Sequence, residues 1–499
     1  MTRTVLRGAY ALLGSGFDFE RRPLDVLVDG ERISAIEPAN SIHDAGAVID
    51  LTRHLLVPGF INGHMHSHEH FHRGRTENLP LELWQHYVRS PVPVVLTPRQ
   101  IYLRTAIGAL ESLRTGATCV VDDLAVGGAI NRVLVDAVLQ AYEDVGVRAL
   151  VGFAMMDRPL VDTFPFADTL PHDLCERLRA LPRPTATEYL GLVNEVAATR
   201  HPKTRRVGVL VAPSAPQRCS QEFLVACAGL ADELDLPIIT HVQETRLQVV
   251  TGLEFYGSAI VEYLARIKFL GPRTTLIHAV WLNPREIRAL AETGATAQYN
   301  PWSNQTLGSG VQPVRALLDA GVNVSLGSDG ASSTVSLNML QVVGSAAALS
   351  KVRGDDYSRW LSAREALTAA TRGGAQALGF GTSLGVIERG AIADVVAYRL
   401  DTLPFTPLND PVRQLVYAER GAGLDFAMVA GEVMLRDGRF TRVDEARLLA
   451  EIETEVAGLA AQFAAADASV APVRAAIETI YRRSLATSVP PDTYPARLP

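Results

Sequence analysis

The chain has 499 residues, 47% of them hydrophobic and 20% charged, a soluble globular balance too long for one small core and suited to a large domain with a smaller one attached. A net charge of −7 leaves no basic footprint for nucleic acid, and no apolar run approaches the ~18 residues that a membrane span needs. Cys119, Cys175, Cys219 and Cys227 are scattered, with neither zinc-site spacing nor disulfide-framework density; with no signal-peptide pattern at the start, they read as reduced thiols of a cytoplasmic protein.

Residues 1–57 read as short strands, the N-terminal part of a β-sandwich. Asp29-Gly30 is a turn signal between apolar runs, a hairpin signature. From residue 55 the pattern becomes strand, helix, strand, helix. Eight apolar strand candidates follow one another at 55–61, 117–122, 148–155, 207–212, 237–243, 274–280, 296–300 and 323–328. Helix starts are marked by Thr97-Pro98-Arg99-Gln100, Asn283-Pro284-Arg285-Glu286 and Ser362-Ala363-Arg364-Glu365, each with an N-cap and a Gln or Glu three residues on. Alternation of this kind implies parallel βα units, and eight of them imply an α/β fold of the (β/α)8, TIM-type barrel class over 58–384. No G-x-G-x-x-G follows the first strand, which counts against an open dinucleotide-binding sheet. Strands return over 385–440, here expected to pair with the N-terminal ones in the small β-sandwich domain. Residues 441–499 form a helical segment rich in Ala, Glu and Leu, then an irregular proline-rich tail.

The chemistry sits at strand ends. Pro58-Gly59-Phe60-Ile61-Asn62-Gly63-His64-Met65-His66 ends in two histidines one residue apart, which point to the same side of a strand and can converge on one metal. Gly59 and Gly63 leave room for close backbone approach. The fifth strand ends in His241-Val242-Gln243-Glu244, the sixth in His278, and the eighth in Gly327-Ser328-Asp329-Gly330. Taken singly, each has a plain structural role open to it: a hydrogen-bonded core histidine, a turn-forming Asp-Gly, a solvated Glu where a helix starts. Together they surround the cavity expected at the C-terminal face of a barrel. Three imidazoles and a carboxylate leave one position of Zn2+ or Fe2+ open for water, the mark of a catalytic metal.

On these residues the chain resembles the amidohydrolase superfamily, in its branch of metal-dependent aminohydrolases and s-triazine hydrolases. That branch includes S-adenosylhomocysteine/methylthioadenosine deaminases, guanine-type deaminases and atrazine-type chlorohydrolases. The resemblance also covers Arg73-Gly74 with Leu79-Pro80-Leu81, then Asn300-Pro301-Trp302-Ser303-Asn304, Leu307-Gly308-Ser309-Gly310 and Gly390-Ala391-Ile392-Ala393-Asp394. It implies one divalent metal per chain, zinc or else iron, held by His64, His66, His241 and Asp329. Binuclear relatives use a lysine at the end of the fourth strand; Val207-Gly208-Val209-Leu210-Val211-Ala212-Pro213 has none, which favours a single metal. His278 would aim a metal-activated water, Glu244 would carry a proton to the ring, and Asp329 would accept the water proton.

The implied activity is hydrolytic deamination of a small amino-substituted aromatic N-heterocycle. The alternative is hydrolysis of a chloro, alkylamino or cyclic-amide bond on a related ring; a non-catalytic scaffold is the remote one. Trp84, Trp281, Trp302 and Gln217 are candidate substrate contacts, and His68, His70 and His72 read as loop residues around the site. Two departures weaken an adenosylhomocysteine-type assignment: Ser214 where nucleoside-type relatives carry histidine, and Tyr299-Asn300-Pro301 in place of His-Asn-Pro. Family resemblance also implies a homodimer or higher homo-oligomer, with the C-terminal helical segment as its candidate interface.

Overall fold

The computed structural model describes residues 3–43 and 46–494, so Met1-Thr2 and the end of the proline-rich tail lie outside the described residues. Eight parallel strands alternate with helices. Phe60–Met65, Ala117–Ala125, Arg148–Ala154 and Val207–Leu210 form one sheet in chain order. Ile238–Val242, Thr274–His278, Thr296–Tyr299 and Val324–Leu326 form the second.

Backbone bonds join the sheets at both margins. Between the fourth and fifth strands, Val211 N–H donates to Pro237 O (3.0 Å) and Ile239 N–H to Val211 O (2.9 Å). Between the eighth and the first, Asp329 N–H donates to His64 O (2.9 Å), and the Asn62 amide donates to Ser328 Oγ (2.8 Å) while accepting from Ser328 N–H (2.9 Å). The second seam therefore passes through two of the candidate site residues.

The apolar run expected as one strand over 55–61 is two. His54–Pro58 pairs with Arg3–Leu13 and Val395–Arg399, whereas Phe60–Met65 pairs with Ala117–Ala125. The switch occurs at Gly59, where a Cβ would lie 2.1 Å from Thr118 Oγ1. An unbroken hydrophobic run reports burial, not which sheet buries it, and so conceals the change of partner. Gly63 has the same need for space: its Cβ would fall 2.4 Å from Gln298 Oε1.

His54–Pro58 links the two chain ends in a ten-stranded sheet. The expected hairpin is Leu24–Asp29 with Arg32–Pro38. Leu6, Val26 and Ile33 share a core with Leu56, Val395 and Phe426, so both ends of the sequence bury their apolar faces together. The expected N-caps Thr97, Asn283 and Ser362 each form a full capping box. After residue 441 come Glu445–Ala457 and Ala460–Ala486. In the second helix Val473, Ile477 and Ile480 follow helical spacing and pack with Leu83, Phe164 and Leu247, so this apolar face is buried within the chain. Among the described residues no single helix is long and apolar enough to cross a membrane.

Arg148, at the start of the third parallel strand, donates to both oxygens of Asp394 (2.9 and 3.1 Å), with both side chains buried. Asp394 also accepts from Ala430 N–H at 2.7 Å and thereby ties the parallel strands to the ten-stranded sheet. Removing one partner leaves a buried, uncompensated charge, so Asp394→Ala is expected to cost about 3–5 kcal/mol in denaturant unfolding. Arg148→Met combined with Asp394→Leu is expected to cost clearly less than the two single changes added together.

Candidate active site

Four imidazoles and two carboxylates meet where the first, fifth, sixth and eighth parallel strands end. His64 lies in the first strand and His66 just past it, with ring centroids 4.6 Å apart. His64 is 5.0 Å from His241 and 5.9 Å from His278, centroid to centroid. Asp329 Oδ1 lies 3.5 Å from His64 Nε2 and 3.3 Å from His66 Nε2. Glu244 Oε2 is 3.3 Å from His278 Nε2. All six residues of the expected set, His64, His66, His241, Glu244, His278 and Asp329, thus share one place.

Hydrogen bonds sort the histidines. His66 Nδ1 faces Asp123 O at 2.7 Å, and His241 Nδ1 faces Ser214 O at 2.9 Å. A carbonyl only accepts, so both Nδ1 atoms carry the proton and both Nε2 atoms offer a lone pair. Neither ring nitrogen of buried His64 has a hydrogen-bond partner. His278 has the opposite arrangement: its Nδ1 accepts from the amides of Asn304 (3.1 Å) and Asn300 (3.3 Å). The Asn300 carbonyl is occupied by Gln298 Nε2 (3.1 Å), which fixes the amide's orientation. His278 Nε2 is accordingly a donor. Its burial lowers the imidazole to about 3, so the ring is neutral.

The carboxylates are also distinguished. Burial, then the charges of Asp329 and Glu82, push Glu244 well above the usual carboxyl range, which keeps it protonated. Burial acts the same way on Asp329, but the His64, His278 and His66 imidazoles beside it outweigh burial and hold its carboxyl well below the usual range. Ser303 Oγ donates to Asp329 Oδ2 at 2.6 Å, and Gly330 N–H to Oδ1 at 2.8 Å. Three of these strand ends adopt left-handed backbone without glycine: Gln243 (φ 47°), His278 (φ 72°) and Asp329 (φ 69°). Such residues cost about 1–3 kcal/mol each and cluster at functional sites.

His64, His66 and Asp329 offer ligand atoms close enough together to hold one metal ion, as do His66, Asp123 and His241. The donor set fits a divalent cation: imidazole lone pairs and a carboxylate, buried except at half-buried His241. The fourth strand presents no lysine among them.

Helix Leu81–Val88 forms one wall of a partly open cavity of about 40 Å3 beside this cluster. Trp84 lines it, with its Nε1 donating to Ser332 O (3.4 Å). Trp281, Trp302 and Gln217 lie outside the lining: Trp281 donates to Ser309 O (2.9 Å), Trp302 to Thr334 O (2.8 Å), and buried Gln217 sits in the short turn Pro216–Arg218. His68, His70 and His72 fall on the turn Ser67–His72; His70 Nδ1 donates to Ser67 O, and His72 packs on Phe463. Burial lowers His70 to about 3 and His72 to about 4.

Sequence reasoning missed Glu69, Arg89, Arg218 and Leu307, which line the cavity, and Asp123, which meets two imidazoles. It quoted Asn300, Ser303 and Asn304 in a motif without giving them a task. Their partners lie on other strands, so spacing alone holds no signal for those contacts.

The amidohydrolase family pattern matches residues 55–434. The chain is 35% identical to a 5'-deoxyadenosine deaminase of Methanothermobacter thermautotrophicus, over 87% of this chain and 94% of that one. It is 33% identical to a 5-methylthioadenosine/S-adenosylhomocysteine deaminase of Thermococcus kodakarensis, over 86% and 93%. Among solved structures, an adenosine deaminase of Xanthomonas campestris with bound zinc matches with TM-score 0.81 and 28% identity, over 92% of this chain and 99% of that one. A zinc complex of atrazine chlorohydrolase from Arthrobacter aurescens TC1 matches with TM-score 0.82 and 25% identity, over 91% and 100%. The fold neighbours are of the amidohydrolase, TIM-barrel type with mixed α/β content, and the chain belongs to the amidohydrolase family.

Proposed function

We propose that this chain is a zinc-dependent aminohydrolase that releases ammonia from an amino-substituted aromatic N-heterocycle. The observation that carries the reading is the hydrogen bonding of His278, opposite to that of His66 and His241. His64, His66 and His241, with Asp329, are the proposed metal ligands. His278 and Glu244 stand beside them as a donor and a protonated acid. Deaminase relatives that align over nearly their whole length support the reaction class.

A divalent metal there supplies Lewis acidity and lowers the pKa of a coordinated water. The chain's own groups do the rest. His278 Nε2–H, fixed by Asn300 and Asn304, orients the attacking oxygen. Asp329 Oδ2, 3.9 Å from that nitrogen, accepts the water proton. Glu244 delivers its proton to the ring nitrogen next to the carbon under attack; as the C–N bond breaks, the proton taken up by Asp329 leaves with the amine, and the proton of the added hydroxyl returns to Glu244. Helix Leu81–Val88 must shift to admit a ring, then excludes solvent when it returns.

A second reading, a leaving group other than ammonia, is favoured by Ser214 and by Tyr299-Asn300, together with the chlorohydrolase neighbour. Parallel assays for ammonia and chloride on amino- and chloro-substituted rings separate the two. On the larger scale, we infer that the two four-stranded sheets form one closed (β/α)8 barrel over 58–384. Residues 1–57 and 385–440 form a small β-sandwich, and 441–499 a separate helical segment and tail. The margin bonds and the shared core of the two chain ends support this division. The same reading makes the enzyme cytoplasmic and homo-oligomeric, on family resemblance.

Glu244→Gln is expected to retain zinc while kcat falls about 10²–10⁴-fold; full turnover by that variant would remove Glu244 from the mechanism. Chelation is expected to abolish turnover and added zinc to restore it. His66→Ala and His241→Ala should each retain far less metal than the unmodified chain when metal content is measured after dialysis.

A further inference from the structure

The cavity beside the metal cluster is lined by two cationic groups that the proposed reaction does not use. Arg89 follows helix Leu81–Val88 one turn after Gln85, and both line the cavity with Trp84. Arg218 reaches it from the turn after the fourth strand. Its guanidinium donates to Gln85 Oε1 (2.8 Å) and Ser214 Oγ (3.3 Å), both neutral groups. Among the described residues neither Arg89 nor Arg218 has an ion-pair partner, whereas most arginines of this chain have one. Burial, then the nearby charge of Arg89, lowers Arg218 to about 10, so the two cations destabilise each other. Glu69, Glu244 and Asp329 line the same cavity, but none of them lies within ion-pair distance of either guanidinium.

Arg89 is exposed and Arg218 half-buried, and with no carboxylate in ion-pair range their guanidinium donors are open to an anionic group of a ligand in the cavity. Ser214 connects this wall to the metal cluster, since its carbonyl accepts from His241 Nδ1 (2.9 Å) while its hydroxyl accepts from Arg218.

We propose that Arg218 and Arg89 form an anion subsite in the active-site cavity, so that the substrate is a heterocycle bearing a carboxylate at the end of the ring remote from the metal. The ring assignment rests on the proposed function; the anion does not. Trp84 and Leu307 supply flat and apolar surface for the ring, and the arginine fork suits the two oxygens of a carboxylate.

Four matched pairs, each a neutral amino-heterocycle and its ring carboxylate, test this on aminopurine, aminopyrimidine, pterin and amino-triazine rings. Dissociation constants are measured by calorimetry on the zinc-loaded full chain carrying Glu244→Gln, which slows turnover. At least one acid should bind about 10- to 100-fold more tightly than its neutral partner. Adding Arg218→Gln should collapse that ratio towards one, and Arg218→Lys should keep part of it. Two results would overturn the subsite: no acid preferred on any ring, or Arg218→Gln weakening acid and neutral ring equally, as a merely structural bridge between Gln85 and Ser214 would. Failure of the unmodified enzyme to release ammonia from any ring, with the acid preference intact, would contradict deamination and leave the subsite standing.

Discussion

Everything in this molecule depends on keeping four imidazoles and two carboxylates together out of water. Each would be expensive to bury alone, and crowding like groups raises the cost. The fold meets that cost by fixing which atom of each group is a donor and which an acceptor. Backbone carbonyls of Asp123 and Ser214 take the Nδ1 protons of His66 and His241, while two asparagine amides hold His278 the other way round. Partners of this kind set the tautomer and orientation of a ligand ring. The local strain at Gln243, His278 and Asp329 persists because the surrounding parallel strands leave those residues no alternative.

The same constraint shapes the cover. Helix Leu81–Val88 walls one side of the cavity with Trp84 lining it, and the C-terminal helix Ala460–Ala486 packs against it through Val473, Ile477 and Ile480. Arg246 anchors the end of that helix by donating to Ser484 O and Thr487 O. The last part of the chain therefore buttresses the helix beside the site, although none of its described residues lines the cavity.

Much of this was legible in the sequence because it rests on local rules. Period-two histidines ending an apolar run, an Asp before Gly at a strand end and three capping boxes each declare themselves within a few residues, and each lies where expected. The missing lysine of the fourth strand was equally plain. What stayed hidden rests on contacts between distant segments. The split at Gly59 needed knowledge of Thr118 and of two separate sheets. The pairing of Arg148 with Asp394 spans 246 positions, and that of Asn62 with Ser328 spans 266. Arg218 looks like any surface arginine until Gln85 is brought to it from 133 residues away. Aromatic residues just past strand ends drew attention as ring contacts, but all three indole N–H groups go to backbone carbonyls, and only the structure shows that Trp84 lines the cavity while Trp281 and Trp302 do not.

The most direct test of the account is diffraction from zinc-loaded crystals at the zinc absorption edge. It predicts one zinc per chain with imidazole nitrogens of His64, His66 and His241 at about 2.0–2.1 Å and an Asp329 oxygen at about 2.0–2.2 Å, while His278 and Glu244 remain outside the coordination shell. Zinc bound through His278 Nε2, or a second zinc sharing the site, would contradict the sorting of the histidines on which the proposed chemistry depends.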